Sequence, residues 1–498
     1  VAFTLAFNIA GVYLFFLLSD HEVNTLTFTV PLLITILSFS DLVHILYAAG
    51  QAHENVTWRE HVRMVMKNLQ VPLGLTSFTT ALAFAVFLWS AVPEIIEFSW
   101  LTCAGIVWAY VSARFFFPEL LIALGPAKKP IEIFAFLTRG VQWSMQRSRL
   151  IIRLSVLLSV LALLWSTQVA RISYNPYQNG SEELMGGQLL LNERFSGLRS
   201  VEVIVSDLEK IDSTTFRKVG EIENYLLQEY GCTTVFSINT VARRLHRFQN
   251  YGFAKAYQMP DKIDAEYLEF FWEFKDELGL REALTLDKKT LRIVGRLKDE
   301  GSAEAMEKTA RLERWLKSRD WSEKVYAGGH SILLDQAMFR VTVIILIGVG
   351  ISLCMASLLG GLFFRNVRLC FALLLPNLLP LLCALVCMPL FDLQLDPFTA
   401  MSLSIIFGLS IDDTIYIAGT YMERRKSGVD ISESVRWNVF PVFATSLLLA
   451  IGFGIFALSE LPSTQSIGML VPIVLLVAVI SDLFLLPPLL NWAVRKSH

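Results

Sequence analysis

Cysteine is scarce and unpatterned in this chain. Of 498 residues six are cysteine; Cys103, Cys354, Cys370, Cys383 and Cys387 sit in apolar runs and Cys232 in a polar stretch. No CxxC and no Cys/His grouping occurs, so neither a disulfide framework nor a zinc site is implied, and no metal or cofactor is expected. Charge is sparse as well, at 18% of residues, with 43 Lys+Arg against 45 Asp+Glu. That balance gives no sign of a nucleic-acid partner. Walker loops, zincin motifs and nucleophile elbows are absent from the chain. Their absence argues against an ATP-driven pump, and Ser331, His330 and His246 have no catalytic spacing, so an enzyme is not expected. The chain begins at Val1, inside an apolar run with no charged leader; the natural protein is expected to continue upstream.

Apolar length is what the chain has in abundance. Hydrophobic residues make up 54% and mean hydropathy is +0.51, values of a polytopic membrane protein. Spans of about 20 apolar residues are read at 1–19, 26–48, 71–91, 98–125, 150–170, 338–362, 370–391, 397–420, 439–459 and 466–493, ten in all. One set of connecting loops is basic: Arg59, Arg63 and Lys67; Lys128, Lys129, Arg139, Arg147 and Arg149; Arg365 and Arg368; Arg424, Arg425 and Lys426; Arg495 and Lys496. The opposite short loops carry Asp20, His21, Glu22, Glu94, Glu97, Asp392, Asp396 and Glu460 and no Lys or Arg. The basic set is therefore expected in the cytoplasm and the polar insert outside. The expected domains are a first bundle at 1–125, a cytoplasmic linker at 126–149, a span at 150–170, an α+β domain at 171–337 and a second bundle at 338–498. Within the linker, Ile131–Gln146 has near-helical apolar spacing and Trp143; it reads either as a helix on the inner membrane surface or as a plain connection.

The insert alternates strand-like and helix-like stretches. Val201–Val205, Thr233–Ile238, Leu291–Arg296 and Lys324–Ala327 read as strands, and Ser213–Gln228 and Ser302–Ser318 as helices. Two β-α-β passages have the rhythm of a ferredoxin-like fold. The aromatic-rich stretch 241–285 interrupts it, either as a helical insertion with an exposed apolar face or as ordinary core packing. The overall expectation is a polytopic α-helical membrane protein with two pseudo-symmetric helix bundles and an α+β ferredoxin-like extracytoplasmic domain.

The two membrane halves repeat one another. SFSDLVHI (Ser38–Ile45) answers LSIDDTIYI (Leu409–Ile417), and each is followed by a basic loop and a span opening PxxxTS, Pro72 to Ser77 and Pro441 to Ser446. Phe84 and Phe453, Phe87 and Phe456, Ser90 and Ser459, Pro93 and Pro462, Ser112 and Ser481, and Pro118 and Pro487 continue at one constant offset. Aligning Ile45 with Ile417 matches Asp41 to Asp413, Ser40 to Asp412 and His44 to Tyr416. An aspartate at a helix centre costs about 2.5–3.5 kcal/mol to insert, and burial favours the neutral form of a carboxylic acid. Asp41, Asp412 and Asp413 thus read as a proton site, with His44 and Tyr416 beside them; acids that only fix the packing are the alternative. Asp412 and Asp413 lie about 100° apart on a helix and face different neighbours. Thr76, Ser77, Thr445 and Ser446 are small hydroxyl residues that either bond the aspartates or bond back to their own helix carbonyls. Arg114 and Asp482 are intramembrane ionisable residues and candidates for interhelical pairing.

GLSIDD at Gly408–Asp413, SDxxH at Ser40–His44, the repeated PxxxTS and the FxxP of Phe115–Pro118 and Phe484–Pro487 resemble the resistance-nodulation-division (RND) superfamily. Its large mycobacterial membrane protein (MMPL) and Patched-like exporter branch is the nearest in flavour. The resemblance implies proton-motive-force-driven export of hydrophobic or amphiphilic cargo, with protons crossing at the fourth-helix acids, in a multi-pass inner-membrane protein with a periplasmic domain. On that plan the chain lacks the first two helices and the first outer domain. The expected partners are protons, membrane lipids and a lipid-like substrate; a homo-oligomer and accessory envelope proteins stay open. A multidrug efflux permease and a sterol-sensing-like lipid-binding protein without active transport are the other readings.

Overall fold

The structure is a computed structural model that describes residues 1–19, 24, 27–51, 56–90, 92–126, 135–169, 171–175, 182–273, 279–319, 321, 324–425, 428 and 431–494. The loop charges Asp20, His21, Glu22, Lys128, Lys129, Lys426, Arg495 and Lys496 lie outside the described residues, as does the start of the linker helix before Ala135. In chain order the helices before the polar insert are α1 (Ala2–Ser19), α2 (Val30–Gly50), α3 (Trp58–Ala85), α4 (Pro93–Val111), α5 (Phe117–Leu124), α6 (Ala135–Gln146) and α7 (Ser148–Val169). The insert contains α8 (Glu182–Arg194), β1 (Arg199–Ser206), α9 (Ser213–Tyr225), β2 (Thr234–Phe236), α10 (Ile238–Gln249), α11 (Ala265–Glu273), β3 (Leu291–Leu297), α12 (Ser302–Lys317) and β4 (Lys324–Gly328). After it come α13 (His330–Phe363), α14 (Val367–Cys387), α15 (Pro397–Arg425), α16 (Ile431–Gly454), α17 (Pro462–Ile480) and α18 (Leu486–Val494).

Among the described residues, nine helical stretches are long and apolar enough to cross a membrane. The protein is a polytopic helical membrane protein. The tenth expected span, at 1–19, is a shorter apolar helix, Ala2–Leu18. Several helices begin well before their apolar run. The span expected from 71 starts at Trp58, where Thr57 and Glu60 form a reciprocal cap. Polar residues at the ends of a long helix keep its hydrogen-bond ladder without being apolar themselves, which is why hydropathy alone sets those boundaries too late.

By internal contacts the chain divides into one unit made of Val1–Arg171, Val341–Ser459 and Ser463–His498, and a second made of Ile172–Arg340 with Glu460–Pro462. The first unit is a helix bundle organised on α15. In its most apolar window 94% of residues are buried, so α15 meets protein on every side, packing against α3, α14 and α16. The duplicated residues recur as duplicated local geometry. Val86–Trp89 and Ile455–Leu458 are both 3-10 turns, and Ser112–Phe116 and Ser481–Leu485 are both π turns. Phe117 N–H bonds Ser112 O, and Leu486 N–H bonds Ser481 O. Pro118 and Pro487 explain this: neither has an N–H, so the α-helical ladder cannot continue through it and slips by one residue. Of the linker, α6 buries Leu137 and Val141 in the bundle core and exposes Trp143, whose ring carries Arg147 at 5.5 Å.

The second unit is a four-stranded antiparallel sheet in the order β2-β3-β1-β4. β1 alternates buried and half-buried residues, the period-two signature of a strand with one covered face. Val201, Val203 and Val205 point to a core shared with Phe216, Val219 and Ile222 of α9 and with Leu312 and Leu316 of α12. Asp212 starts α9 by accepting from Thr214 N and Thr215 N at 3.0 and 3.2 Å; the Thr214 hydroxyl, donating to the same carboxyl at 2.5 Å, is foremost in holding it down at about 2, and the backbone N–H groups add to it. Gly295 in β3 is required by a close approach: a Cβ there would stand 2.5 Å from Cys232 Sγ. Both readings of 241–285 apply to different residues. Tyr267 and Phe271 of α11 join the core, whereas Phe248, Tyr251 and Phe253 are exposed.

Candidate functional site

Five sequence-predicted residues meet at the centre of the bundle. α2 carries Asp41 and His44 one turn apart, and α15 carries Asp412, Asp413 and Tyr416; all are buried. Tyr416 Oη donates to Asp41 Oδ1 at 3.1 Å. His44 Nε2 lies 3.7 Å from Asp413 Oδ1, an electrostatic contact beyond direct hydrogen-bond reach. The His44 and Tyr416 rings stack, with centroids 4.0 Å apart and planes 2° from parallel. The repeat had matched Asp41 with Asp413 and His44 with Tyr416. In space the acid of each half addresses the aromatic residue of the other, and the two aromatics lie face to face between them.

The adjacent acids point to different helices, as their angular separation requires. Asp412 Oδ1 accepts from Thr80 Oγ1 of α3 at 2.7 Å, and Asp413 Oδ2 accepts from Ser446 Oγ of α16 at 2.9 Å. Among the described residues no lysine or arginine pairs with Asp41, Asp412 or Asp413. Each acid of α15 is thus held by a hydroxyl of a neighbouring helix rather than by a fixed cation. Thr76 and Thr445 are placed otherwise: their hydroxyls bond back to Leu73 O at 2.9 Å and Pro441 O at 2.8 Å. Ser77 is half-buried with no hydrogen bond to an acid, and Ser40 is buried beside Asp41 in the chain.

Asp482 is fully buried and accepts from Thr414 Oγ1 at 2.5 Å. Thr414 also meets Asn377 of α14 at 3.1 Å, and Ser410 Oγ donates to Asn377 Oδ1 at 3.0 Å. A polar seam thus runs along α15 on the side away from α3. Arg114 is not part of it; its Nη2 reaches Gln70 Oε1 at 3.5 Å and its guanidinium lies over Phe115. Arg114 and Asp482 thus each meet a polar residue of another helix, Gln70 of α3 and Thr414 of α15.

Sequence reasoning missed Thr80, Asn377, Ser410 and Thr414. Thr80 escaped because the search followed duplicated positions, and the residue at its repeat position is Leu449. The available signal was Asp412, an acid whose counterpart is Ser40: an unduplicated acid calls for an unduplicated partner. Beside the cluster, a cavity of about 290 Å³ is lined by His44, Tyr47, Gln51, His61, Asn68, Thr420, Glu423, Arg424 and Asn438, among others. Arg424 stacks on Trp437 at its edge, 3.7 Å from the ring centroid. His44 thus lines the cavity and also touches Asp413. Among the described residues no group of His, Cys, Asp and Glu forms a metal site.

Comparison with known proteins places the chain as a whole. The MMPL family model matches residues 216–497, more than half of the chain, and the Patched SSD model matches residues 4–123. A protein of Methanocaldococcus jannaschii, described as a membrane protein, is 29% identical over 170 residues, which cover 33% of this chain and 42% of that protein. These families indicate an RND-type transporter or a sterol-sensing-like membrane function. From the extent of the first match, the chain belongs to the MMPL family.

Proposed function

We propose that the chain carries the proton-coupled core of an exporter for lipids or other hydrophobic and amphiphilic molecules, driven by the proton-motive force across a bacterial inner membrane. The observation that carries this reading is the reciprocal contact at the bundle centre, Asp41 with Tyr416 and Asp413 with His44 across one ring stack. Protons arriving through the cavity reach His44, pass to Asp413, and alter what Tyr416 and Asp41 share. Ser446 and Thr80 supply the hydroxyls that hold Asp413 and Asp412 in either charge state. The loss or gain of a charge in that stack shifts the balance between two packings of the pseudo-symmetric bundles, α2 with its neighbours against α15 with its own. The α+β unit, whose strand order and two β-α-β passages support a ferredoxin-like fold, would then lie on the periplasmic side and handle cargo.

The test uses the full-length parent protein in proteoliposomes with an imposed pH gradient, following internal pH with and without candidate lipid. Wild type dissipates the gradient, and Asp412→Asn combined with Asp413→Asn abolishes that dissipation. Equal rates in a folded double variant would overturn the reading. That outcome would favour a lipid-sensing membrane protein, the alternative that the Patched SSD match over residues 4–123 supports.

A further inference from the structure

A second cavity lies on the outside of the bundle, away from the acids. On α3, Val71, Gly74, Leu75 and Phe78 form one stripe at helical spacing. Across about 550 Å³ they face Leu359, Leu362 and Phe363 near the end of α13. The lining has no polar side chain, and Phe78, Leu362 and Phe363 are exposed, so hydrocarbon is the occupant that this groove solvates best.

Along the chain, each wall of the groove is adjoined by a cation beyond its lining. Lys67 continues the α3 stripe one turn before Val71, and Arg365 follows Phe363 by two residues. These positions share one end of the bundle. Asn366 Nδ2 bonds Ala493 O, Arg425 Nη2 bonds Val494 O, and Glu423 and Arg424 line one cavity with Met64 and Asn68 of α3. Lys67 and Arg365 are both exposed, and neither has an ion-pair partner among the described residues. Arg365 has a further peculiarity. Its φ is 52°, in the left-handed region two residues past the end of α13, where glycine is the unstrained choice. The turn is fixed by Arg365 N–H to Leu362 O at 3.0 Å and Asn366 N–H to Gly361 O at 2.9 Å. The chain thus keeps a cation at a position where glycine would relieve the backbone.

We propose that this groove binds an anionic glycerophospholipid, with an acyl chain between α3 and α13 and the phosphate between Lys67 and Arg365. The proposal does not depend on proton coupling. It is tested with the purified full chain in detergent micelles by native mass spectrometry, titrating phosphatidylglycerol, phosphatidylcholine and inorganic phosphate. Phosphatidylglycerol is expected to be retained in preference to phosphatidylcholine. Lys67→Gln and Arg365→Gly each weaken it about fivefold and together about thirtyfold. Leu75→Trp, which fills the groove, abolishes retention. Arg365→Gly relieves the backbone, so its thermal midpoint stays level or rises while binding falls, which separates binding from folding. Equal retention of the two lipids, unchanged by the variants, would mean annular lipid only and overturn the proposal. Displacement by inorganic phosphate alone would mean an anion site without an acyl groove and would overturn it too.

Discussion

Replacing Arg199 with methionine should loosen the α+β unit more than any other single polar substitution in it. Arg199 opens β1 and is 2% exposed. Its Nε donates to Asp299 Oδ1, and its Nη1 donates to Asp335 Oδ2 at 2.5 Å. Burial works against the guanidinium, but the two carboxylates outweigh it and its pKa is raised. Asp299 is itself fixed, accepting from Gly301 N at 3.1 Å while its own N–H meets Asn192 Oδ1 at 2.9 Å. Neither acid can swing to water when the cation goes. Breaking a buried pair by removing one partner costs about 3–5 kcal/mol, whereas replacing the whole group with apolar residues is often neutral or stabilising. Hydrogen exchange of the full chain reads this locally. Amides of β1 and β3 should exchange about 10²–10³-fold faster in Arg199→Met. The triple variant Arg199→Met, Asp299→Asn, Asp335→Leu should recover most of that protection. An acceleration below about fivefold in the single variant, or a triple variant as loose as the single, would refute the reasoning.

Other perturbations have equally definite outcomes. Asp212→Ala should cost about 1 kcal/mol of helix stability, seen as faster exchange at the start of α9. Because the folded carboxyl sits at about 2, below its unfolded value of about 3.9, its contribution is complete above pH ~4 and is lost as pH falls from there through 2; Asp212→Asn should flatten that dependence. The Cys232 thiol, pushed up to about 12 by burial, should react with N-ethylmaleimide about a thousandfold more slowly than an unfolded cysteine at neutral pH, and denaturant should abolish the difference. Tyr416→Phe keeps the ring against His44 and removes only the bond to Asp41; it should lower the thermal midpoint by the equivalent of about 1–2 kcal/mol and slow gradient dissipation in the proteoliposome assay. Thr80→Val should slow dissipation likewise, and a rate equal to wild type would remove Thr80 from the site.

The sequence made some parts of this molecule easy to read because their physics is local. Strand β1 is visible as the β-branched run of Val201–Val205, and the acids Asp41, Asp412 and Asp413 are visible because charge inside an apolar run has few explanations. The repeat did more, since matching His44 to Tyr416 and Asp41 to Asp413 anticipated which residues would be equivalent. What it could not supply was the exchange of partners between halves, a property of how α2 lies on α15. Helix α8 went unread, because Glu182–Arg194 mixes polar and apolar residues without strong periodicity. The hydroxyls were hard for a related reason. Thr76 and Thr80 are one turn apart on α3, and nothing in the chain says that the first bonds its own backbone and the second an acid on α15.

The stacked rings of His44 and Tyr416 bind the fates of the two acids together. Tyr416 cannot carry its ring away from Asp41 without sliding across the imidazole that faces Asp413, and the His44 ring cannot leave the stack without uncovering Tyr416. On the proposed reading, a change at either acid reaches the other through this shared contact. Substitutions at Asp41 and Asp413 should consequently be non-additive: once one contact is lost, the second has little left to lose. A bundle built from two copies of one motif thus joins its two acids, at its centre, by one shared ring contact.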